Sequence, residues 1–498
     1  MITALTVLVA IAVLGWGFNR ARPYGKIGIL AWLQSVVLMA PWLLFFGLFA
    51  VGIYLNLAGM LLLFIASTAA YILLGRQLRA AGQDVLSKRA ATLANPDLEP
   101  NGDSPSQATL SERQAVEKAA EALQPPEVVP IPAEDLQTIK EIFGIDTFFV
   151  TETTSYQEGA IFQGNLRGEV EPTFTRLSKS LEERVGDRYH LFLVENPQGK
   201  PVVVVLPSKN DPKPSTLTQK LLALVLFVAT IATSLETGGI LLGFDFYSSP
   251  DRYWEVLPIS LGLLAILGVH ELGHWLMARR YRVRLSLPYF IPTWQIGSFG
   301  AITRFESFLP SRSALFDIAI AGPAAGGILS LGMLITGLSL SNADSLFKVP
   351  TQFFEGSILI GTLARVLLGT AVQQPIVAIH PLVVLGWIGL VITAINVMPA
   401  GQLDGGRIVQ AIYGRKTANR TTVATILVLG IASLVNPLAL YWAIVIVVLQ
   451  RSLERPSFNE LTEPDDARAA FGLLALFLMI TILLPLTPSL AGRLGIGG

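Results

Sequence analysis

The residues best suited to chemistry form the sequence His270-Glu271-Leu272-Gly273-His274, near the end of an apolar segment. On an α-helix, residues four apart share a face, so both imidazoles can reach one metal ion, with the Glu beside them as a general base. The chain has four His and no Cys, so a metal site must use imidazoles and carboxylates. The alternative is a coincidental match on a surface helix. It is the weaker reading, because two His and a Glu within a membrane span are costly and usually functional.

A hydrolytic zinc site also needs a third protein ligand and an open position for water. Asp404 is the best candidate, because Pro399 and Gly401 end the preceding apolar segment and turn the chain back toward a neighbour. A lone Asp beside two glycines would ordinarily be a turn or helix N-cap residue. His380 begins the same apolar segment, and a helix of about 20 residues is roughly 30 Å long. His380 is therefore expected at the opposite interface, and the two motif His and Asp404 are the predicted metal ligands.

The elements that must position these residues are membrane helices. Hydrophobic residues make up 52% of the 498 residues and charged residues 14%, with a mean hydropathy of +0.56, whereas soluble proteins carry about 25% charged residues. Spanning a bilayer takes about 20 apolar residues, so the sequence predicts a polytopic α-helical membrane protein with roughly eight to ten spans. The predicted spans are 2–18, 27–49, 55–74, 221–243, 256–278, 314–338, 381–398, 423–448 (one span, or a hairpin broken at 436–437) and 471–490, with 358–371 at an interface.

The formal net charge of zero is the sum of two unlike regions. Residues 76–215 hold 15 Lys and Arg against 21 Asp and Glu, so this insert carries −6 and the rest of the chain +6. Lys and Arg follow alternate spans, as in cytoplasmic loops. This pattern predicts an outside N-terminus and a cytoplasmic insert, with His270 and Asp404 at one membrane depth. Without a strongly basic face, no nucleic-acid partner is expected.

Composition also divides the chain into five regions. Residues 1–75 form an N-terminal three-span membrane region, and 76–132, with many Pro, form a flexible cytoplasmic linker. Residues 133–215 are expected to fold as a small α+β cytoplasmic domain, with strands at 147–156 and 159–167, a helix at 171–185 and a hairpin of 189–195 with 202–206. The catalytic membrane core is predicted at 216–420, and further membrane spans at 421–498.

The segment 285–306 contains two Pro and two Gly and is too interrupted for a spanning helix. It is predicted to form a re-entrant, β-like hairpin beside the metal. A helical substrate hides its scissile carbonyl, so it must unwind, and the edge formed by Gly297, Ser298, Phe299 and Gly300 can hold the extended segment by strand addition. The alternative is an ordinary cytoplasmic loop with interfacial aromatic residues.

Two of these motifs together resemble those of a known family. An H-E-x-x-H motif followed by N-x-x-P-x-x-x-x-D-G, with Asn396, Pro399, Asp404 and Gly405 in place, resembles the site-2 protease family of intramembrane zinc metalloproteases. The resemblance is strong over roughly residues 221–420. In the insert, Gly-Asn-Leu-Arg-Gly at 164–168 is similar to a motif of one subgroup, the plastid ethylene-dependent gravitropism-deficient-and-yellow-green proteases and their cyanobacterial relatives.

The resemblance implies an intramembrane zinc endopeptidase. One Zn²⁺ per chain would be bound by His270, His274 and Asp404, Glu271 would be the catalytic base, and Asn396 would orient substrate or stabilise the oxyanion. The expected partners are transmembrane protein substrates and the lipid bilayer. The implied location is the plasma or thylakoid membrane of a cyanobacterium-like organism. The sequence does not indicate an oligomeric state.

Two other functions remain open from the sequence. An ion- or proton-coupled transporter would use the same His and Asp residues as an ion pathway, and a catalytically silent relative would act as a membrane scaffold. Transporters often contain internal repeats, and the span pattern shows none. The complete set of Glu271 and metal ligands speaks against a silent scaffold.

Overall fold

Helices make up most of the computed structural model, which contains two compact units, Met1–Glu127 and Val128–Gly498. In the first unit, the 26-residue helix α1 (Gly25–Ala50) matches the span predicted at 27–49. The predicted spans 2–18 and 55–74 and the linker 76–132 lie largely outside the described residues. The residues that the structure describes are 15, 17–19, 21–50, 63, 67, 70–71, 73–75, 77, 131–156, 158–196, 198–434, 436–450 and 452–496.

The second unit contains the residues predicted as the insert domain, 133–215. The four strands of this domain form an antiparallel sheet in the order β1-β2-β4-β3, with one helix before the sheet and one between β2 and β3. The predicted strands, helix and hairpin are confirmed to within one or two residues. The elements are α2 (Ala133–Lys140), β1 (Phe148–Tyr156), β2 (Gly159–Leu166), α3 (Val170–Val185), β3 (Tyr189–Glu195) and β4 (Pro201–Pro207).

The insert domain has a core of its own. Helix α3 buries Leu177, Leu181 and Val185, which recur every four residues and so lie on one face. That face packs in one cluster with buried sheet residues, including Phe162 and Leu193. The domain is therefore held together by ordinary burial of an amphipathic helix on a sheet.

The membrane half consists mainly of helices. Among the described residues, four helical segments are long and apolar enough to cross a membrane, namely Leu217–Leu241, Pro250–Arg280, Arg312–Leu340 and Asp466–Leu483. The helices are α4 (Leu217–Leu241), α5 (Tyr253–Arg280), α6 (Arg312–Leu340), α7 (Ile358–Leu368), α8 (Pro381–Asn396), α9 (Asp404–Ala432), α10 (Pro437–Val445), α11 (Asp466–Leu483) and α12 (Pro488–Leu494).

Helix α8 is shorter than its predicted span, and α9 and α10 are separated by a break. Helix α8 has 16 residues, fewer than the roughly 20 that span a bilayer. Helix α9 is interrupted at Gly414, where φ is 77° and ψ 172°. The region predicted as one span or a hairpin at 423–448 is a broken pair, because α9 ends at Ala432 and α10 begins at Pro437. The turn at 397–403 that leads to Asp404 therefore shortens α8.

Small residues allow the central helices to approach closely. Helix α6 packs against both α5 and α8. A Cβ atom added at Gly386 of α8 would lie only 2.6 Å from the Ser330 carbonyl oxygen of α6. Close helix contacts of this kind are typical of small residues in membrane helices.

The predicted hairpin is present as β5 (Tyr289–Thr293) and β6 (Gly297–Ile302), which pair antiparallel. Thr233 and Thr237 of α4 donate hydrogen bonds to the carbonyl oxygens of Gly297 and Trp294, at 2.6 and 3.1 Å. The hairpin is therefore fixed to the helix that precedes α5. A second small sheet, not predicted, pairs β7 (Phe347–Pro350) with β8 (Ile376–Ile379).

Candidate metal centre

Three predicted ligand atoms meet in one buried triangle. The Nε2 atoms of His270 and His274 lie 3.2 Å apart, and the Asp404 Oδ2 atom lies 3.2 and 3.3 Å from them. The three residues are only 4–7% exposed. Three acceptor atoms this close need a shared cation, either protons or a metal ion.

Local sequence explains how the ligands meet. His270 and His274 project from one face of α5 because they are four residues apart. Helix α8 ends at Asn396, and the chain turns through Pro399 before α9 begins at Asp404. A Cβ atom at Gly405 would lie 1.8 Å from the Val397 carbonyl oxygen, so only glycine permits this tight return.

Helix α6 supports both imidazoles. The Nδ1 atom of His274 lies 2.7 Å from the Ile318 carbonyl oxygen. Donation from Nδ1 leaves the Nε2 lone pair free for a metal, which is the usual arrangement around histidine ligands. A Cβ atom at Gly322 would lie 2.2 Å from His274 Nε2, and one at Gly326 would lie 3.1 Å from His270 Cβ. The small residues of α6 thus have a second role beyond helix packing, since they make room for the ligands.

Glu271 lies beside the triangle. Ligand atoms of His270, Glu271 and His274 all lie within 4.8 Å of one another. The Thr303 hydroxyl, directly after β6, donates a 2.7 Å hydrogen bond to the Glu271 Oε2 atom. One carboxylate oxygen is therefore held by the protein.

A buried arginine lies behind Asp404. The Nη1 atom of Arg407 is 3.8 Å from Asp404 Oδ1, and Nη2 donates a 2.7 Å hydrogen bond to the Thr303 carbonyl oxygen. The same guanidinium pairs with the Glu454 carboxylate at 3.1 Å. Arg407 and Glu454 are both 6% exposed, so this is a fully desolvated ion pair.

The residues present fit a zinc ion on two grounds. Zinc bonds of about 2.0–2.1 Å in tetrahedral geometry place ligand atoms roughly 3.3 Å apart, which is the edge length of the triangle. With neutral imidazoles, the three carboxylates and one guanidinium of the site sum to a charge of −2. Asp404, Glu454 and Arg407 are buried and Glu271 is half-buried, so this charge is costly unless a counter-ion matches it, and a divalent cation would do so.

Asn396 supports the hairpin. Its amide nitrogen donates to the carbonyl oxygens of Phe299 and Ile392, at 3.2 and 2.9 Å. Both amide hydrogens are therefore in use. A role in stabilising an oxyanion would require one of these bonds to break.

The hairpin lines the cavity with the C-terminal end of β6 and the residue after it, and not with the predicted substrate edge. Gly297, Ser298, Phe299 and Gly300, the predicted substrate edge, are buried. Phe299 packs against Trp442 and Tyr441. The cavity at the site is lined by residues just further along the chain, together with helix and turn residues: Glu271, His274, Ala301, Ile302, Thr303, Asn396, Gln402, Leu403, Asp404 and Arg407. The accessible part of β6 is therefore its C-terminal end, because the Gly-rich start is covered by α4 and α10.

His380 is the N-cap residue of α8, at the opposite end of that helix from Asn396, and its Nδ1 accepts a hydrogen bond from Leu382 N. Thr303, Arg407 and Glu454 were not predicted at the site. The sequence offers one signal, the spacing of Arg407 three residues after Asp404, which places both on one helix face.

Two family profiles match the chain. The profile of peptidase family M50 matches residues 258–436, and the profile of the EGY3 middle domain matches residues 137–213. The first covers the histidine motif and Asp404, and the second covers most of the insert domain. No solved structure is significantly similar to the chain.

Curated relatives cover most of the chain. Probable zinc metalloprotease EGY1, chloroplastic, of Arabidopsis thaliana is 40% identical over 419 residues, 76% of this chain and 76% of the relative. Probable zinc metalloprotease EGY2, chloroplastic, of Oryza sativa subsp. indica is 40% identical over 368 residues, 72% and 67% of the two chains. Probable zinc metallopeptidase EGY3, chloroplastic, of Arabidopsis thaliana is 32% identical over 396 residues, 74% and 68%. The chain therefore belongs to peptidase family M50, the site-2 protease family, and within it to the EGY group.

Proposed function

We propose that the chain is an intramembrane zinc endopeptidase that hydrolyses peptide bonds in or next to the transmembrane helices of membrane-protein substrates, near the cytoplasmic side. The observation that carries this proposal is the buried triangle of His270, His274 and Asp404 with Glu271 beside it. The similarity to proteins named as probable zinc metalloproteases supports it. Four helices among the described residues are able to span a membrane, which agrees with a substrate that lies in the bilayer.

The residues have distinct roles in the proposed reaction. His270, His274 and Asp404 would hold a zinc ion, whose Lewis acidity would make a water molecule acidic enough to lose a proton near neutral pH. Glu271 accepts that proton and delivers it to the leaving amine nitrogen. The Thr303 hydroxyl holds one Glu271 oxygen, so the other remains available for the proton. Asn396 keeps β6 in place through the Phe299 carbonyl.

The proposal includes a polytopic arrangement with the insert domain in the cytoplasm. Lys and Arg follow alternate apolar segments, which favours this orientation. The similarity to chloroplastic relatives is compatible with the plasma or thylakoid membrane of a cyanobacterium-like organism. Both the orientation and the location rest on these patterns.

Zinc analysis of the purified chain tests the ligand set. We expect about one zinc per chain, lost in His270→Ala and in Asp404→Ala, because each removes one of three ligands. His380→Ala is the matched control and should keep its zinc. Full zinc content in either ligand variant would overturn the assignment.

We further propose that an unwound substrate segment pairs with the C-terminal end of β6, next to the cavity. The chain has no Cys, so Ile302→Cys introduces a single thiol. This variant should form a disulfide with a substrate that carries one Cys beside the scissile bond. Trp294→Cys, in the exposed turn of the hairpin, is the control. Equal cross-linking from both positions would contradict strand addition at Ile302.

A further inference from the structure

The segment Glu454–Leu461, between α10 and α11, contacts both the metal centre and the insert domain. We infer that Glu454 is a positioning residue for the active site, and that this linking segment makes the active-site geometry depend on the docking of the insert domain. The inference rests on the proposed function, because it concerns how Glu271 is held for that reaction. Glu454 itself lies behind Arg407, away from the ligand triangle.

At its first residue, the linking segment is fixed to the active site. The Glu454 carboxylate accepts from Arg407 Nε at 3.2 Å and pairs with Nη2 at 3.1 Å. Its backbone is also held, since Glu454 N donates to Gln410 Oε1 and Gln410 Nε2 donates to Glu454 O, at 3.0 and 3.1 Å. Gln410 is only 1% exposed. The position of Glu454 is therefore defined by α9 on both its backbone and its side chain.

Arg407 transmits this position to the catalytic base. With Glu454 on one side, the guanidinium holds the Thr303 carbonyl at 2.7 Å. The hydroxyl of that threonine in turn donates to Glu271. If Glu454 lost its charge, Arg407 would be a buried cation without its closest carboxylate and would move toward Asp404, the next one. Thr303 and Glu271 would then lose their fixed positions.

Four residues further along, the segment joins the insert domain. Leu193 N of β3 donates to the Phe458 carbonyl oxygen at 2.8 Å, and Glu460 N donates to the Leu193 carbonyl oxygen at 2.9 Å. These two bonds form a parallel β-bridge between Leu193 and Asn459 at the β3 edge of the sheet. Phe458 N also donates to the Leu309 carbonyl oxygen at 2.9 Å, so the segment lies between the insert domain and the chain that leads into α6.

Side chains strengthen the same junction. The Phe458 ring lies 5.1 Å from that of Phe192 in β3 and 5.4 Å from that of Phe308, centroid to centroid. Leu461 packs against the core of the insert domain. A domain held by both backbone bonds and an aromatic cluster resists separation, and its displacement would pull on a segment whose other end holds Arg407.

Glu454→Gln tests the positioning role, because Gln has the same shape without the charge. We expect kcat to fall about tenfold with KM changed less than twofold and zinc content unchanged. The double variant Glu454→Gln with Arg407→Gln should lose no more kcat than the more impaired single variant, since both substitutions act through one ion pair. Glu463→Gln is the control, because that carboxylate is exposed. Wild-type kcat in Glu454→Gln, or fully additive losses in the double variant, would overturn the inference.

Hydrogen exchange of the full-length chain tests the coupling without any activity measurement. Phe458→Ala, which does not touch the active site, should speed exchange in β3 and also in residues 300–306 and 404–410. Phe471→Ala, an exposed residue of α11, is the control and should leave both regions unchanged. Faster exchange confined to β3 would refute the coupling. This result is independent of proteolysis, so it stands even if the proposed function fails.

Discussion

At the scale of single residues, the hydrogen bond from Thr303 to Glu271 is the contact most open to test. Thr303→Val keeps the shape of the side chain but removes the hydroxyl that holds the Oε2 atom. Hydrogen bonds to charged groups contribute about 1.5–3 kcal/mol, so kcat should fall roughly ten- to a hundredfold. Zinc content should stay the same, because Thr303 is not one of the three ligands. Peptide cleavage kinetics together with metal analysis measure both quantities.

Thr303→Ser serves as the control for this change, because it keeps the hydroxyl. Its kcat should stay near that of the wild type. Equal rates for the Val and Ser variants would mean that the hydroxyl does not orient Glu271.

The proposed metal ligands are recognisable in the sequence at this scale, but the residues that contact them are not. His270 and His274 are four residues apart, and Asp404 follows a recognisable helix break. In contrast, Thr303 is 32 residues from Glu271, and Glu454 is 47 residues from Arg407. Contacts over such separations arise from tertiary packing, for which the sequence carries no local signal.

At the scale of elements, the close approach of α6 to the ligands yields a prediction. A Cβ atom at Gly322 would lie 2.2 Å from His274 Nε2, so Gly322→Ala must displace the imidazole or separate α5 from α6. Either change breaks the triangle. We expect zinc affinity to fall at least about tenfold, in line with overpacking costs of about 1–3 kcal/mol.

The matched control lies on the same helix. Gly332 has open space where a Cβ would be added, so Gly332→Ala should retain zinc and gain slightly in helix stability. Zinc titration of the two variants separates local crowding from a general effect on α6. Wild-type affinity in Gly322→Ala would show that the ligands do not depend on this contact.

Elements with clear periodicity were predicted best. The alternating and four-residue patterns of the insert domain identified β1–β4 and α3 to within two residues, because each element has one buried face. The hairpin of β5 and β6 followed from its Pro and Gly. The proposed substrate edge at residues 297–300 is buried in the structure, because strand pattern alone does not show which residues other helices cover. Helix length was overestimated for α8, where the metal-site turn takes the last residues.

At the scale of the whole molecule, charge is distributed unevenly along the chain. The insert carries −6 and the remainder +6, although the total is zero. The excess of Lys and Arg near apolar segments underlies the proposed orientation. The structure adds a physical link between the two parts, since the linking segment holds β3 at one end and Arg407 at the other. The insert domain is thus packed onto the membrane half, and its docking is coupled to the active site in our inference.

The central claim is that this metal centre hydrolyses peptide bonds in membrane proteins, and Glu271→Gln tests it most directly. Membranes containing the wild type or the variant would be compared for zinc content of the purified chain and for cleaved membrane-protein fragments. We predict about one zinc in both, with cleavage lowered by about 10²–10⁴-fold in the variant and uncut substrates accumulating. An identical set of cleaved fragments from a zinc-loaded Glu271→Gln chain would contradict the claim.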